Sequence, residues 1–198
     1  MNPEFQDNTA DAAWRSALRR EMVARRRAMS AASHAAASAR IVAHLSTMPD
    51  LMLPAVIGFC WPIKQEPDLS LALSRWRQAG CRAALAVVLS ENSALAFREW
   101  TPQTLLQPDR YGIPTPQDGD WLQPDVLLLP LNAFDAQGYR LGYGGGYFDR
   151  TLAALRPRPL AVGVGFEINR VESIRPQPHD QRLDWIVTEA GCVRIQDA

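Results

Sequence analysis

The chain has few cysteines, a single lysine and no excess of charge of either sign. Its 198 residues carry 21 basic and 21 acidic side chains, so the formal net charge is zero. Proteins that bind nucleic acid or an anionic membrane through bulk attraction carry a basic excess. We therefore expect neither a nucleic-acid partner nor a membrane partner.

Long apolar segments are also missing. Residues 1–11 are polar, so the sequence predicts no secretory signal peptide there, and apolar runs such as residues 126–131 are far too short to span a bilayer. The cysteines Cys60, Cys81 and Cys192 are odd in number and widely spaced. Because they fit neither a disulfide framework nor a zinc site, we expect reduced, buried thiols in a cytoplasmic protein.

The order of apolar segments predicts an α/β fold. Strands are expected at residues 56–61, 83–89, 95–100, 126–129, 160–166, 185–188 and 192–195. One helix is expected at residues 69–78, and another is expected to begin near residue 147 and to continue to residue 155. Strands that alternate with helices form a mostly parallel sheet with helices on both faces, which gives three layers. Such sheets bind ligands at the carboxyl ends of their strands.

Two helices are expected before the first strand. Residues 11–29 have Trp14, Leu18 and Met22 on one stripe, and Ser30 is a suitable N-cap for a second helix through Ser46. This predicts an N-terminal helical hairpin. Residues 1–10 lack periodicity and are expected to be disordered, and residues 11–198 are expected to form one domain. The Pro-rich residues 101–124 are interpreted as a long surface loop that acts as a lid or a substrate wall.

The most informative segment is residues 138–150, where five of the chain's 12 glycines fall within nine positions. Glycine lets backbone N–H groups approach a ligand closely, and successive N–H groups that point into one concavity form an anion nest. A helix that begins near Tyr147 would add its unpaired N–H groups and its positive dipole end. Arg140 and Arg150 supply cationic donors, and Asp149 can hold a metal. We interpret the segment as a phosphate-binding loop.

The segment matches neither common nucleotide signature. A P-loop needs a lysine after its last glycine, and the only lysine is Lys64; a Rossmann fingerprint needs a glycine where Tyr147 stands. The alternative is a flexible surface turn between a strand and a helix. Flanking arginine, tyrosine and aspartate favour the phosphate loop, because a simple linker is rich in serine and small polar residues.

The run Arg140-Leu-Gly-x-Gly-x-Gly-Tyr-Phe-Asp149 resembles the ATP loop of the 5-formyltetrahydrofolate cyclo-ligase family, also called methenyltetrahydrofolate synthetases. The resemblance runs from about Trp14 to Glu189. It includes, in order, the basic first helix, Trp61-Pro-Ile-Lys-Gln-Glu66, Tyr111-Gly-Ile-Pro114, Pro124-Asp-Val-Leu-Leu-Leu-Pro130 and His179-Asp180. It implies an enzyme that uses ATP and Mg²⁺ to convert 5-formyltetrahydrofolate into 5,10-methenyltetrahydrofolate, with release of ADP and phosphate.

The resemblance also implies an ATP site on the glycine loop and the first helix. Arg15 and Arg19 are four residues apart and share a helix face; the family usually has lysine and then arginine at these positions. Arg19 and Arg140 are the candidate catalytic residues. The alternative for Arg15 and Arg19 is a solvated basic face, and that interpretation is favoured for the other arginines that crowd this helix, Arg20, Arg25, Arg26 and Arg27. The loop residues assigned to ATP are Arg140, Leu141, Gly142, Tyr143, Gly144, Gly145, Gly146, Tyr147, Phe148 and Asp149.

The family's magnesium carboxylates correspond to Asp149 and Asp180. Magnesium prefers one or two carboxylates together with waters and phosphate oxygens. Read from the residues alone, Asp149 can instead cap a helix and Asp180 can be a turn residue. His179 is expected to position Asp180 or to fill the rim of the pocket.

The folate side of the site is expected at Trp61, Glu66 and Tyr111. A carboxylate in an apolar cleft accepts hydrogen bonds from a pterin ring, and an indole supplies a flat wall for a heteroaromatic ligand. The alternative for Trp61 is an ordinary core aromatic. The glycine-loop residues assigned to the substrate as well are Tyr143, Gly144, Gly145, Gly146 and Tyr147.

Three positions depart from the family pattern. Thr115 stands where the family tends to have glutamate, Asn169 lies near a usual glutamine, and Pro178 directly precedes His179. These lie in the substrate half, so two alternatives remain open: an ATP-dependent relative with another substrate, and a non-catalytic folate- or nucleotide-binding protein. We expect a monomer.

Overall fold

The computed structural model describes residues 3–48, 51 and 55–196. The helices are α1 (Pro3–Arg27), α2 (Ala31–Leu45), α3 (Ser70–Gln78) and α4 (Tyr147–Ala154), and a 3-10 turn spans Glu167–Asn169. The strands are β1 (Val56–Phe59), β2 (Arg82–Val87), β3 (Ala96–Trp100), β4 (Leu106–Pro108), β5 (Pro114–Pro116), β6 (Val126–Pro130), β7 (Ala133–Phe134), β8 (Arg140–Leu141), β9 (Leu160–Val164), β10 (Trp185–Thr188) and β11 (Gly191–Arg194).

Seven of these strands form one sheet in the order β11-β10-β9-β6-β1-β2-β3. The inner neighbours pair in parallel, and only the edge strands β11 and β3 run antiparallel to their neighbours. Strand β6 is central and buried on both faces, which explains its continuous apolar sequence. The predicted mostly parallel α/β sheet is confirmed.

Helices cover both faces of this sheet. Val126 and Leu128 of β6 pack in a cluster with residues of α2 and α3, whereas Leu127 and Leu129 pack on the other side with Leu152 of α4. Because side chains alternate along a strand, one apolar run supplies both layers of core. The predicted three-layer arrangement is therefore confirmed.

The N-terminal hairpin of α1 and α2 also forms as predicted. Ser30 is the N-cap of α2, and its hydroxyl accepts a bond from the amide of Ser33. In α1, Leu18 and Met22 pack against Leu141 of β8 and against Ile174. Helix α1 therefore lies beside the segments that follow the carboxyl end of β6, where the glycine loop begins.

Helix α1 starts at Pro3, earlier than the expected start at residue 11. Proline suits the first position of a helix, and neither glycine nor proline interrupts the chain up to residue 10, so the helix extends over residues expected to be disordered. Residues 1 and 2 lie outside the described residues. Within the described ranges, every helix is too short or too polar to cross a membrane.

Two short hairpins were not expected from the sequence. Strands β4 and β5 pair antiparallel inside the Pro-rich segment expected to be a loop, and β7 pairs with β8 directly before the glycine loop. Proline is tolerated in edge strands, and two-residue strands are too short to show a period. These strands therefore left no clear pattern in the sequence.

Candidate active site

The glycine loop connects β8 to α4 and leaves backbone amides without partners. Gly144 has a φ of +99° and Gly146 has a φ of +64°, which side chains with a Cβ rarely adopt. Gly146 is the N-cap of α4 and provides no side-chain cap. Among the residues that the structure describes, none accepts a hydrogen bond from the amides of residues 144–149. Such a run of N–H groups at a helix start is suited to bind an anion.

A surface cavity lies against this loop. Its lining consists of Gly144, Gly145, Gly146, Asp149, Arg150, Asn92, Ala153, His179 and Gln181. The loop therefore faces a concavity bordered by polar groups. The phosphate-loop interpretation requires such a concavity. A simple surface turn does not require one.

Arg19 of α1 reaches the same loop. Its Nε donates to the carbonyl oxygen of Gly142 at 2.9 Å, and its Cζ lies 3.5 Å from the place of a Cβ on Gly144. Within the described part of the chain, its two Nη atoms have no recorded acceptor. Burial and the charge of Arg15 lower the pKa of Arg19, with Asp180 opposing them. An anion beside the loop would offset this repulsion between two guanidinium groups.

Arg15, by contrast, is already bonded to a carboxylate. Its Nη1 and Nη2 donate to Oδ2 and Oδ1 of Asp180 at 2.7 and 3.1 Å, and the two side chains are 8% and 4% exposed. The amide of Gln177 also donates to Asp180 at 2.7 Å. Burial alone would raise the pKa of Asp180, but the bonds from Arg15 and Gln177 outweigh burial and lower it.

A second ion pair joins the buried Arg140 to the partly exposed Asp149. Nη2 of Arg140 donates to Oδ1 of Asp149 at 2.9 Å, and Nη1 donates to the carbonyl oxygen of Gln181 at 2.7 Å. The Gln181 amide donates to the same Oδ1 at 3.0 Å. Burial lowers the pKa of Arg140, although Asp149 opposes the shift. Arg140 therefore fixes Asp149 and the segment at residue 181 rather than pointing at the cavity.

The carboxylates differ in their fit to a magnesium ion. Oδ2 of Asp149 has no recorded partner in the described part of the chain, the side chain is 21% exposed, and the residue lines the cavity. Both oxygens of Asp180 are bonded to Arg15. No group of three or more His, Cys, Asp or Glu residues suited to hold a metal occurs in the described ranges. One carboxylate beside phosphate oxygens and waters is sufficient for magnesium, so Asp149 fits this ion.

A second, largely apolar pocket lies at the carboxyl ends of β1, β6 and β9. Its lining consists of Phe59, Cys60, Trp61, Pro62, Glu66, Pro67, Asp68, Leu69, Ser70, Leu73, Trp100, Leu128, Leu129, Pro130 and Val164. The structure therefore brings together Trp61 and Glu66, the two folate candidates that the sequence placed on one segment. Both follow β1, and parallel sheets bind ligands at this edge. Trp61 both lines this pocket and packs partly against the core, so its core packing is confirmed and its contact with a folate stays a prediction.

Glu66 is a buried carboxylate with both oxygens bonded. Tyr143 donates its O–H to Oε1 at 2.6 Å, and the amide of Ile63 donates to Oε2 at 3.0 Å. Burial raises the pKa of Glu66, and these two bonds and nearby Arg26 and Lys64 oppose the shift. Because Tyr143 belongs to the glycine loop, this bond connects the glycine loop to the apolar pocket.

Tyr111 and Tyr147 meet at the outer side of the loop. Their hydroxyl oxygens are 2.8 Å apart and their rings cross edge to face. Tyr111 lies between β4 and β5, so part of residues 101–124 does reach the glycine loop, as a lid or wall would. Tyr111 is 54% exposed, and it does not line the apolar pocket.

The remaining residues singled out in the sequence lie in the core, in loop contacts or at the cavity rim. Leu141 is fully buried, and Phe148 packs against the core near α4. Of the three departures from the family pattern, Thr115 donates to the carbonyl oxygen of Gln107 at 3.1 Å, and Asn169 donates to the carbonyl oxygen of Asn132 at 2.6 Å. His179, which Pro178 precedes, lies at the cavity rim with its Nε2 3.9 Å from Asp180.

Sequence reasoning missed several site residues. Arg26 was grouped with the solvated arginines of α1, yet it is 1% exposed. The signal was present, since Arg26 follows the buried Met22 by four residues on the same stripe. Gln181 and Asn92 line the cavity through loops far apart in the chain, and no sequence pattern marks them.

Taken together, a mostly parallel α/β sheet, a glycine loop with unpaired amides and an apolar pocket joined to it through Tyr143 and Glu66 are suited to an enzyme that handles an anion beside an apolar ligand. Residues 11–189 match the model of the 5-formyltetrahydrofolate cyclo-ligase family, so the chain belongs to this family, and the resemblance noted in the sequence is confirmed.

Individual relatives agree with this assignment. The 5-formyltetrahydrofolate cyclo-ligase of Escherichia coli K12 is 29% identical over 171 residues, which cover 83% of this chain and 94% of the relative. That of Mycolicibacterium smegmatis is 27% identical over 146 residues, covering 68% of this chain and 74% of the relative. The NMR structure of 5,10-methenyltetrahydrofolate synthetase from Aquifex aeolicus superposes with a TM-score of 0.81 at 26% identity, covering 93% of this chain and 94% of the other.

Proposed function

We propose that this enzyme uses ATP and Mg²⁺ to convert 5-formyltetrahydrofolate into 5,10-methenyltetrahydrofolate, with release of ADP and phosphate. The observation that carries the proposal is the 2.6 Å bond between Tyr143 and Glu66. It places an apolar pocket suited to a heteroaromatic ring directly beside a loop suited to phosphate. A reaction in which ATP phosphorylates a folate needs the two ligands in neighbouring sites.

The chemistry follows from the poor leaving ability of an amide oxygen. The formyl oxygen attacks the terminal phosphorus of ATP, and the bond to ADP breaks. N10 of the folate then attacks the activated carbon and loses its proton to solvent, the C–O bond breaks with loss of phosphate, and the cationic methenyl bridge remains. No protein nucleophile is needed, so the protein's task is positioning and charge neutralisation.

The residues of this chain divide that task between them. The amides of residues 144–149 and the two Nη groups of Arg19 would hold the phosphates. Arg140 would act by fixing Asp149, since its Nη1 and Nη2 donate to Gln181 and Asp149. Trp61 would supply a wall for the pterin, and Glu66 would accept hydrogen bonds from the ring's N–H groups. The Tyr111–Tyr147 contact would close the outer side of the loop.

The proposed magnesium ligand is Asp149, through its Oδ2. When bound, Mg²⁺ supplies positive charge beside the phosphates. Asp180 is the second carboxylate that the family resemblance implies. Its Oδ2 accepts two hydrogen bonds and its Oδ1 accepts one, so a single lone pair of Oδ1 would be left for a metal while Asp180 holds Arg15.

The experiment is to mix the protein with 5-formyltetrahydrofolate, ATP and Mg²⁺ and to follow both the near-ultraviolet absorbance of the methenyl product and the release of ADP. We expect both signals together, and neither when ATP is omitted. ADP release with another substrate alone would favour a relative with different specificity. Folate or ATP binding measured by calorimetry, without turnover, would favour a non-catalytic binding protein.

We also propose that the enzyme is a cytoplasmic monomer. The free thiols of Cys60 and Cys192 are consistent with a reducing compartment. Light scattering coupled to size exclusion tests the assembly state, and a mass of twice 22.0 kDa would contradict it.

A further inference from the structure

Arg26 is the most deeply buried arginine of α1. Its residue is 1% exposed, and it heads the largest fully buried side chains of the described protein. The neighbours Arg25 and Arg27 are exposed on the same helix. A charged group is placed in such surroundings only when polar partners compensate its loss of water.

The partners of Arg26 come from three segments. Its Nε donates to the carbonyl oxygen of Lys64 at 2.9 Å, and its Nη2 donates to the hydroxyl oxygen of Tyr143 at 2.7 Å. Its Nη1 lies 3.5 Å from Oδ1 of Asn132, at the limit of a hydrogen bond. Arg26 thus touches the segment after β1, the segment after β6 and the glycine loop.

The bond to Tyr143 has a fixed direction. A guanidinium group has five donors and no acceptor, so the hydroxyl oxygen of Tyr143 must accept from Arg26. The hydrogen of that hydroxyl is then left for Oε1 of Glu66, which lies 2.6 Å away. The chain of donors runs in one direction, from Arg26 to Tyr143 to Glu66.

This direction makes Glu66 an acceptor at both oxygens. Oε1 accepts from Tyr143, and Oε2 accepts from the amide of Ile63 at 3.0 Å. Each carboxylate oxygen has a second lone-pair site, which remains for N–H groups of a ligand in the apolar pocket. If Glu66 were neutral, or if the donor chain ran in the opposite direction, a hydrogen atom would face the N–H groups of the ligand and repel them.

We propose that Arg26 is a positioning residue that orients the Tyr143 hydroxyl and thereby keeps Glu66 ready to accept hydrogen bonds from the N–H groups of a folate ring. This role rests on the proposed function, because it names how the same pocket recognises its substrate. It also makes folate recognition depend on the glycine loop, since Tyr143 belongs to both.

The competing interpretation is that Arg26 only stabilises the fold through Lys64 and Asn132. A double-mutant cycle separates the two. The proteins are wild type, Arg26→Met, Tyr143→Phe and the double variant, and the measurement is the Kd for 5-formyltetrahydrofolate without nucleotide. Arg27→Met is the matched control, because it removes an exposed arginine from the next position.

We expect Arg26→Met to weaken folate binding by about tenfold or more, the size of one lost charge-assisted hydrogen bond. In the Tyr143→Phe background the same change should cost less than about threefold, because the hydroxyl through which Arg26 acts is gone. Arg27→Met should bind as wild type does. Equal losses in both backgrounds would overturn the role of Arg26.

The experiment also distinguishes a variant that does not fold from a failure of the proposed function. If Arg26→Met does not fold by circular dichroism, the cycle is run with the polar and neutral Arg26→Gln, and the same criteria apply. If wild-type protein binds no reduced folate, the proposed function fails and this inference fails with it. If wild type binds and the losses simply multiply, only the role of Arg26 fails.

Discussion

Replacement of Arg19 by alanine tests the phosphate site most directly. The side chain extends from α1 to the glycine loop, donates to Gly142 at 2.9 Å, and leaves two Nη groups beside Gly144 without partners in the described structure. The variant removes those donors and one bond that holds the loop. Neighbouring Arg20 is exposed and bonds only Ser16 within α1, so Arg20→Ala is a matched control for the loss of charge.

Two effects of Arg19→Ala have different sizes. Loss of one preorganised donor to the reacting phosphate raises the barrier by about 3 to 4 kcal/mol, or roughly 10²- to 10³-fold in rate. Loss of the charge-assisted bond to the Gly142 carbonyl lowers the free energy of unfolding by about 1.5 to 3 kcal/mol. The kinetic effect should therefore exceed what partial unfolding of the sample explains.

The assay is steady-state formation of the methenyl product at saturating folate, together with calorimetric binding of a non-hydrolysable ATP analogue. We expect at least a tenfold loss of turnover and weaker binding of the analogue for Arg19→Ala, with Arg20→Ala near wild type. Arg19→Ala that is folded, turns over at the wild-type rate and binds the analogue normally would remove this residue from the site. Equal losses in both variants would show that only the general charge of α1 matters.

Two predictions concern stability. Gly144→Ala should lower the free energy of unfolding by roughly 2 kcal/mol, because the φ of Gly144 is +99°. Gly142→Ala is the control and should change the free energy of unfolding by less than about 0.5 kcal/mol, since the φ of Gly142 is not positive and no atom lies near an added Cβ. Denaturant titration measures both variants, and equal effects would contradict backbone strain at Gly144. Asp180→Asn should lose about 3 kcal/mol at neutral pH by leaving Arg15 buried and unpaired. Since the folded pKa of Asp180 lies below its ordinary value of 3.8, the stability it contributes is present above that pH and lost as pH falls through the folded pKa. The difference between wild type and Asp180→Asn should therefore be constant from pH 5 to 7 and shrink below about pH 4, and a difference that persists in acid would refute the ion pair as its source.

Local patterns predicted most of the elements. Ser30 marked the start of α2 because its hydroxyl caps the helix. The apolar run of β6 indicated a strand. These signals are local, since each depends on neighbours within a few residues in the chain.

The short hairpins could not be predicted in the same way. Strands β4 and β5 carry prolines that usually interrupt a sheet, and β7 and β8 contribute two residues each. Their pairing depends on what they pack against, so tertiary contacts decide it. The early start of α1 is a similar case, because helix propagation requires no apolar period.

The candidate site divides along the same line. Glycines at residues 142–146 with arginine and aspartate around them indicated a phosphate loop, because consecutive residues determine the local backbone conformation and the local charge. Which donors stay available was decided only by packing. Both Nη atoms of Arg15 and of Arg140 already donate to protein oxygens, whereas those of Arg19 have no acceptor among the described residues.

By itself, the sequence determined the family, the sheet with its two helical layers and the position of the glycine loop, since all of these follow from local periodicity and from one continuous motif. Tertiary structure alone decided that Arg26 bonds Tyr143 and that Tyr143 meets Glu66, which lies 77 positions away in the chain. The physical reason is that hydrogen bonds to a buried charge form between segments joined only by the fold. No spacing along the chain encodes them.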